Sequence, residues 1–244
     1  LWLPYGVVLQ GHLLAGFLVL VGFRCLHGHL SSAVAGCALA GAVVIDSAAL
    51  PAAAVVTLTG MRPGQWRGLF MGAAGPAALF AGLNHRLGGD LRPLASHLEF
   101  LDYPYSPFAF MAPTGRLYLE DRGAYFAEML LGGSGLFSLS PVLLLALMGA
   151  VARWRGPLGG HRRAAGAVLL AVTVTVAFFG LLSDNMGGSA VGVRWFTVLC
   201  PLLVLWGPWT PPLPGSRIFV RALAVGLLAI STTLATVGAV RPWT

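Results

Sequence analysis

Charged residues are too few in this chain to cover the surface of a water-soluble domain. Only 9% of its 244 residues are charged, whereas 57% are hydrophobic and the mean hydropathy is +0.81. Soluble domains carry about 25% charged residues. Most of the surface must therefore face lipid, which predicts an integral membrane protein whose first partner is the lipid bilayer.

Long apolar runs divide the chain into candidate membrane-spanning helices. A helix needs about 20 mostly apolar residues to cross the hydrocarbon core of a bilayer. Clear candidates are 3–23, 68–83, 136–152, 164–183, 195–208 and 218–240. The stretch 31–59 is too long for one comfortable span and short for two, and Asp46 and Pro51 lie near its middle.

Arginine placement decides how the stretch 31–59 is interpreted. All basic residues are Arg, and loops rich in Arg usually face the cytoplasm. The basic loops Arg62–Arg67, Arg153–Arg163 and Arg217–Arg221 fall on one side only if 31–59 is a hairpin of two short helices. Asp46 then lies near the non-cytoplasmic tip. The predicted fold is an all-α, polytopic transmembrane helical bundle with about eight membrane segments.

One long polar segment, 84–135, interrupts the apolar runs. It holds six of the eight acidic residues, and the arginine distribution places it outside the cytoplasm. Its Pro and aromatic content favours an ordered loop on the membrane surface over a flexible linker. Within this non-cytoplasmic loop, 123–131 is predicted to form a short interfacial helix.

The whole chain, 1–244, is predicted to form a single transmembrane domain. It begins at Leu1 inside an apolar run, without the basic region and small-residue cleavage site of a signal peptide. We therefore expect it to be the C-terminal fragment of a longer protein, located as a multi-pass protein in a bacterial inner (plasma) membrane.

Several functional classes lack the residues that they need. The net charge of +7 is typical of the positive-inside rule combined with a coding bias towards Arg, and nucleic-acid binding would require polar surroundings that are absent. The three cysteines lie in or beside apolar segments without a CxxC pair, which favours small packing residues over a metal site or a disulfide. No nucleotide-binding loop or hydrolase motif is present. A divalent cation is conceivable, but no cofactor and no metal site is predicted.

Ionisable residues at membrane depth are the first candidates for function, because they are costly there. His12 lies in the first predicted span, either as a neutral histidine hydrogen-bonded to a neighbouring helix or as a group facing a polar cavity. Asp46 would need an Arg partner, water or a place at the hairpin tip. It can serve as a helix cap before 48–51, or it can be functional.

A third candidate is the run 183–195, which joins two spans on the non-cytoplasmic side. Its glycines permit close approach of the backbone to a ligand. Arg194 opens the next helix and can bind a phosphate through two hydrogen bonds, with Asp184 and Asn185 nearby. The alternative is a tight turn in which Arg194 extends towards the lipid headgroups.

Five short segments together resemble the C-terminal two-thirds of bacterial GT-C-type membrane glycosyltransferases, the protein-mannosyltransferase-like enzymes. The resemblance covers nearly the whole chain and depends on the order and loop placement of the segments. In chain order they are Gln10-Gly-His12, Asp102-Tyr103-Pro104, Leu131-Gly-Gly-Ser-Gly-Leu-Phe-Ser-Leu-Ser-Pro141, Asp184-Asn-Met-Gly-Gly through Gly192-Val-Arg-Trp195, and Arg241-Pro-Trp243.

The resemblance implies transfer of a sugar from a polyprenyl-phosphate donor to an acceptor on the non-cytoplasmic face. By resemblance, Arg194 is a candidate phosphate contact and Asp184 and Asn185 belong to the same loop. His12 matches a polar span position, although the usual Asn-Asn-His is Gln-Gly-His here. The catalytic carboxylate of the family lies in a first non-cytoplasmic loop, which would be upstream of Leu1. The implied site is therefore one for substrate binding.

Two other classes of protein stay open. A transporter or flippase-like membrane protein often has broken helices and ionisable residues at the membrane midplane, as 31–59 with Asp46 could be interpreted, but it also tends to show paired repeats. A non-catalytic membrane scaffold is the third interpretation, supported only by the missing catalytic loop. The candidate substrate-binding residues are His12, Asp46, Asp102, Tyr103, Asp184, Asn185 and Arg194.

Overall fold

The chain forms a bundle of helices joined by turns. The computed structural model describes residues 3–28, 30–91, 121–133, 135–156, 160–183, 194–207 and 217–240, and these contain no β-strand, so the all-α prediction is confirmed for them. The α-helices are α1 (Leu3–His27), α2 (Ser32–Ile45), α3 (Leu50–Gly60), α4 (Trp66–Gly88), α5 (Arg122–Leu131), α6 (Leu136–Leu139), α7 (Val142–Arg155), α8 (Gly160–Leu182), α9 (Cys200–Val204) and α10 (Arg217–Val240). Short 3-10 helices, Ser47–Ala49 and Arg194–Leu199, precede α3 and α9.

Between α1 and α4 the chain forms a hairpin of two short helices, as the arginine distribution predicts. α2 runs antiparallel to α1, because its last residue, Ile45, lies next to Gly11 in the first half of α1, where an added Cβ atom would be 3.8 Å from the Ile45 side chain. The chain reverses at Asp46. α3 then returns to the other end of α1, where Gly60 packs against His27.

Small residues allow α2 and α4 to pack closely. A Cβ atom added to Gly72 would overlap the carbonyl oxygen of Ala33, and one added to Gly36 would overlap the backbone of Leu69. Gly68, one turn before Gly72, faces α2 in the same way. Small residues four positions apart bring two helix backbones together, a packing mode common between membrane helices.

Two of the three predicted arginine-rich loops lie at one end of the bundle, which we call the basic end. Arg24 and His27, in the last turn of α1, line a cavity together with His161 from the first turn of α8. Trp154, near the end of α7, packs against Gly166 of α8. The basic end comprises Arg24, Arg62, Arg67, Arg153, Arg155, His161, Arg162 and Arg163.

The opposite end, which we call the turn end, carries the hairpin turn. The helix predicted at 123–131 is present there as α5, and Asp121 caps it by accepting a hydrogen bond from the Ala124 N–H at 2.9 Å, whereas its interfacial location stays a prediction. α10 packs against the start of α7, where the Val142 N–H donates to Ser231 Oγ at 3.1 Å.

The structure corrects three of the predicted boundaries. The loop predicted from residue 84 begins later, because α4 continues to Gly88 and ends at Gly89, whose φ of 81° is the left-handed conformation of a helix C-cap. The predicted span 136–152 is broken between α6 and α7 next to Pro141. The predicted span 195–208 begins as a 3-10 helix and becomes α-helical only at Cys200.

Within the described residues, one helix is long and apolar enough to cross a membrane, at 161–182 in α8. The count becomes two if the bent pair formed by 122–139 and 142–155 is one span. Only length and composition enter this test, and the buried core helix of a soluble protein would pass it too. The helices of the hairpin are shorter, with 14 residues in α2 and 11 in α3.

Candidate functional site at the hairpin turn

Asp46 ends one helix and begins the next. Its backbone is extended, with φ −150° and ψ 108°, and its N–H donates to the Ala42 carbonyl at 2.9 Å as the last hydrogen bond of α2. Its side-chain Oδ1 accepts from the Ala48 N–H at 3.0 Å. Pro51 occupies the first turn of α3, where a missing N–H has no cost. The predicted capping role of Asp46 is therefore confirmed.

The other carboxylate oxygen of Asp46 has a partner from a different helix. Asp46 Oδ2 forms a hydrogen bond with Nδ1 of His12, which lies 34 residues earlier on α1. The two side chains are 10% and 13% exposed. The pair is therefore mostly shielded from solvent, and the Arg partner considered for Asp46 is replaced by a histidine.

The carboxylate fixes which ring nitrogen of His12 carries the proton. Because a carboxylate accepts hydrogen bonds, Nδ1 donates to Asp46. In the neutral ring this leaves the lone pair on Nε2, the atom able to accept a hydrogen bond or a proton from a ligand. A hydroxyl group brought to this side of His12 would meet an oriented acceptor.

Glycines on α1 let neighbouring elements approach on both sides of His12. Gly11 faces the end of α2. Gly16 faces the 3-10 helix Arg194–Leu199, and a Cβ atom there would lie 2.9 Å from the Val198 carbonyl oxygen. α1 is thus held between the hairpin and this 3-10 helix.

The 3-10 helix brings the backbone of Arg194 to the turn end. Trp195, the next residue, stacks on Phe179 of α8 with ring centroids 4.5 Å apart and planes 13° apart. The same helix contacts the turn that follows Asp46. The backbone of Arg194 is described, whereas its side chain and the candidates Asp102, Tyr103, Asp184 and Asn185 lie outside the description.

A second arginine, Arg122, belongs to the turn end and was not among the candidate site residues. Its Nη1 donates to the carbonyl oxygens of Ser183, at 2.6 Å, and Gly180, at 3.3 Å. It therefore satisfies backbone groups at the end of α8, where the helix dipole favours a cation. The available signal was an arginine directly before the helix predicted at 123–131.

An apolar groove is lined by side chains of α5, α6, α7 and α8. Its volume is about 340 Å³, and the residues of α8 that line it, among them Leu169, Val172 and Val176, share one helix face. Phe126 of α5 also lines it and packs against Gly180 of α8. The groove runs from the middle of α8 towards the turn end, and its lining suits a hydrocarbon chain.

The described residues hold no group of three metal-ligating side chains, so His12 and Asp46 alone do not make a metal site there. The pair, the backbone of Arg194 and the hydrogen bonds of Arg122 to the end of α8 all belong to the turn end of the bundle. Comparison with protein-family models, with curated proteins and with solved structures found no match for this chain.

Proposed function

We propose that the chain is a multi-pass protein of a bacterial inner membrane, with its basic end in the cytoplasm. The gathering of Arg24 and the loops at 62–67 and 153–163 at one end supports this orientation, because such residues stay on the cytoplasmic side. Exposed apolar side chains support burial in lipid. On α4 they include Phe70, Met71 and Leu79, which are 65%, 77% and 59% exposed.

The function that this arrangement supports best is glycosyl transfer at the non-cytoplasmic face from a polyprenyl-phosphate sugar donor. The observation that carries the proposal is the His12–Asp46 pair at the end away from the arginines. Asp46 orients His12, and Nε2 of His12 accepts a hydrogen bond from a hydroxyl of the sugar or of the acceptor. Arg194, at the start of the adjacent 3-10 helix, binds the donor phosphate.

The apolar groove gives the lipid part of the donor a place. Its lining spans 169–177 on α8, which corresponds to about 12 Å of helix. A polyprenyl chain lying there would have its phosphate end near Gly180 and Arg122. Catalysis needs a carboxylate to activate the acceptor, and none of the acidic residues is assigned that role.

The test is sugar transfer from a radiolabelled polyprenyl-phosphate sugar by the full-length protein, purified in lipid nanodiscs. Arg194→Ala is expected to abolish transfer and His12→Gln to reduce it at least tenfold. Arg221→Ala and His85→Gln, at exposed positions on α10 and α4, serve as matched controls and keep full activity. Transfer that is unchanged in Arg194→Ala would refute the phosphate role, provided that the variant is folded.

A proton-coupled transporter is the second candidate, and the helix break at Asp46 favours it. A carboxylate at a helix break, paired with a histidine from another helix, resembles the ion sites of transporters. Protein in liposomes would then carry protons along with a substrate, and Asp46→Asn would stop the flux. Proton flux that depends on Asp46, without any sugar transfer, would select the transporter.

A further inference from the structure

The basic end contains a cavity that the proposed glycosyl transfer does not use. Its volume is about 420 Å³, and it lies between the end of α1, the start of α8 and the residues that follow α9. Arg24, His27 and His161 supply its basic side chains. Phe23 and Leu205 supply apolar wall, so the cavity suits a ligand with an anionic head and an apolar neighbour.

An indole N–H in the wall of this cavity lacks an acceptor. Trp206 lines the cavity and is 3% exposed, and its Nε1 makes no hydrogen bond within the described part of the chain. A buried donor without an acceptor costs about 1–3 kcal/mol, so such groups usually face a ligand or a water molecule. Because Nε1 itself has almost no accessible surface, an anionic oxygen in the cavity would satisfy it after a rotation of the indole ring towards the cavity.

The ends of the surrounding helices also favour a negative charge. His161 and Ala164 come from the first turn of α8, a helix of 23 residues whose N-terminus attracts anions. The C-terminus of α1 has the opposite polarity. Its effect is reduced because the Arg24 carbonyl oxygen already accepts from the Gly28 N–H at 2.8 Å and because Arg24 and His27 lie in the last turn.

We propose that this cavity binds a phosphate group, held by Arg24, the two histidines and the indole N–H of Trp206. Under the proposed topology the cavity lies at the cytoplasmic headgroup layer. The phosphate group could belong either to the headgroup of an acidic phospholipid or to a free phosphate ion, and both would make the same hydrogen bonds. The apolar wall favours the phospholipid.

The experiment measures thermal unfolding of the purified protein in a neutral detergent. Short-chain phosphatidylglycerol, short-chain phosphatidylcholine and inorganic phosphate are titrated separately. Phosphatidylglycerol is expected to raise the unfolding midpoint in a saturable way and at lower concentration than the other two. Stabilisation by inorganic phosphate at equal concentration would assign the site to a free phosphate.

Matched variants show whether the cavity is responsible. Trp206→Phe keeps an aromatic ring but removes the N–H, and it should weaken binding about tenfold, as expected for one hydrogen bond to an anion. Arg24→Gln should abolish saturable binding, whereas Arg67→Gln and Trp154→Phe, at the basic end outside the cavity, should not change it. Equal binding by all four variants, or no saturable binding by the unmodified protein, would overturn the proposal. If Arg24→Gln does not fold, Trp206→Phe against Trp154→Phe decides alone.

Discussion

Replacing Asp46 tests its two roles, capping the 3-10 helix that precedes α3 and holding His12. Asp46→Ala removes the acceptor of the Ala48 N–H, worth about 1 kcal/mol for a helix N-cap. It also leaves the shielded Nδ1 of His12 without a partner, at a cost of about 1–3 kcal/mol. We expect Asp46→Ala to lower the free energy of unfolding by about 2–4 kcal/mol.

Asp46→Asn provides the comparison that isolates the charge. The side-chain amide oxygen can still accept from the Ala48 N–H, so the cap is kept and only the pairing with His12 is weakened. We expect Asp46→Asn to lower the free energy of unfolding by about half as much as Asp46→Ala does. The assay is reversible unfolding in mixed micelles, monitored by circular dichroism.

A double-mutant cycle with His12→Ala measures the pairing itself. Residues in direct contact show coupling of about 0.5–3 kcal/mol, whereas independent sites are additive within about 0.5 kcal/mol. The cycle of His12→Ala with Asp46→Ala should give coupling of about 1–2 kcal/mol. The same cycle with His85→Gln should give none. Additive effects of His12→Ala and Asp46→Ala would refute the pairing and, with it, the observation on which the proposed site depends.

Three further substitutions test the packing and the turn end by the same unfolding assay. Gly72→Ala should lower the free energy of unfolding by about 1–3 kcal/mol, because the added Cβ atom would overlap the Ala33 carbonyl oxygen. Gly75→Ala, whose added Cβ atom meets no other atom, should be neutral or stabilising. Equal effects of the two substitutions would contradict the close contact between α2 and α4. Arg122→Met should lower the free energy of unfolding by about 1–3 kcal/mol, because it removes the two hydrogen bonds to carbonyl groups at the end of α8. An unchanged unfolding midpoint would argue against these hydrogen bonds. Ser231→Ala should lower the free energy of unfolding by about 1 kcal/mol, because it leaves the Val142 N–H of α7 without its acceptor. Thr232→Ala, at an exposed position on the same helix, is the control.

Helices and the hairpin were predictable from the sequence because their signals are local. Apolar runs locate the helices, and the Asp46 to Pro51 segment carries both a capping residue and a first-turn proline. The residues at which the helices end were less predictable. Asn84 looks like the start of a polar loop, but it is a buried side chain on a helix that Gly89 terminates.

The pairing of His12 with Asp46 could not be predicted, because it depends on how α1 packs against the hairpin. Polar residues 34 positions apart have no local spacing that marks them as neighbours. The close packing of α4 on α2 did have a local signal, the pair Gly68 and Gly72 four residues apart. Glycosyl transfer, with its assignment of Arg194, stays a prediction that the described residues do not test.

The length of the hairpin determines the depth at which the candidate site lies. α2 has 14 residues and rises about 21 Å from the basic end to Asp46, whereas the hydrocarbon core of a bilayer is about 30 Å thick. If the basic end lies at the cytoplasmic headgroups, the His12–Asp46 pair therefore lies below the outer surface. α1 extends about 13 Å beyond His12 towards that surface. A water-soluble substrate would have to enter the membrane to reach the pair, whereas under the proposed function a lipid-linked substrate has its hydrocarbon chain in the groove. Val176→Trp, which fills the groove with a larger side chain, should therefore suppress transfer from a long-chain polyprenyl donor far more than transfer from a short-chain donor. Equal loss with both donors would contradict lateral entry.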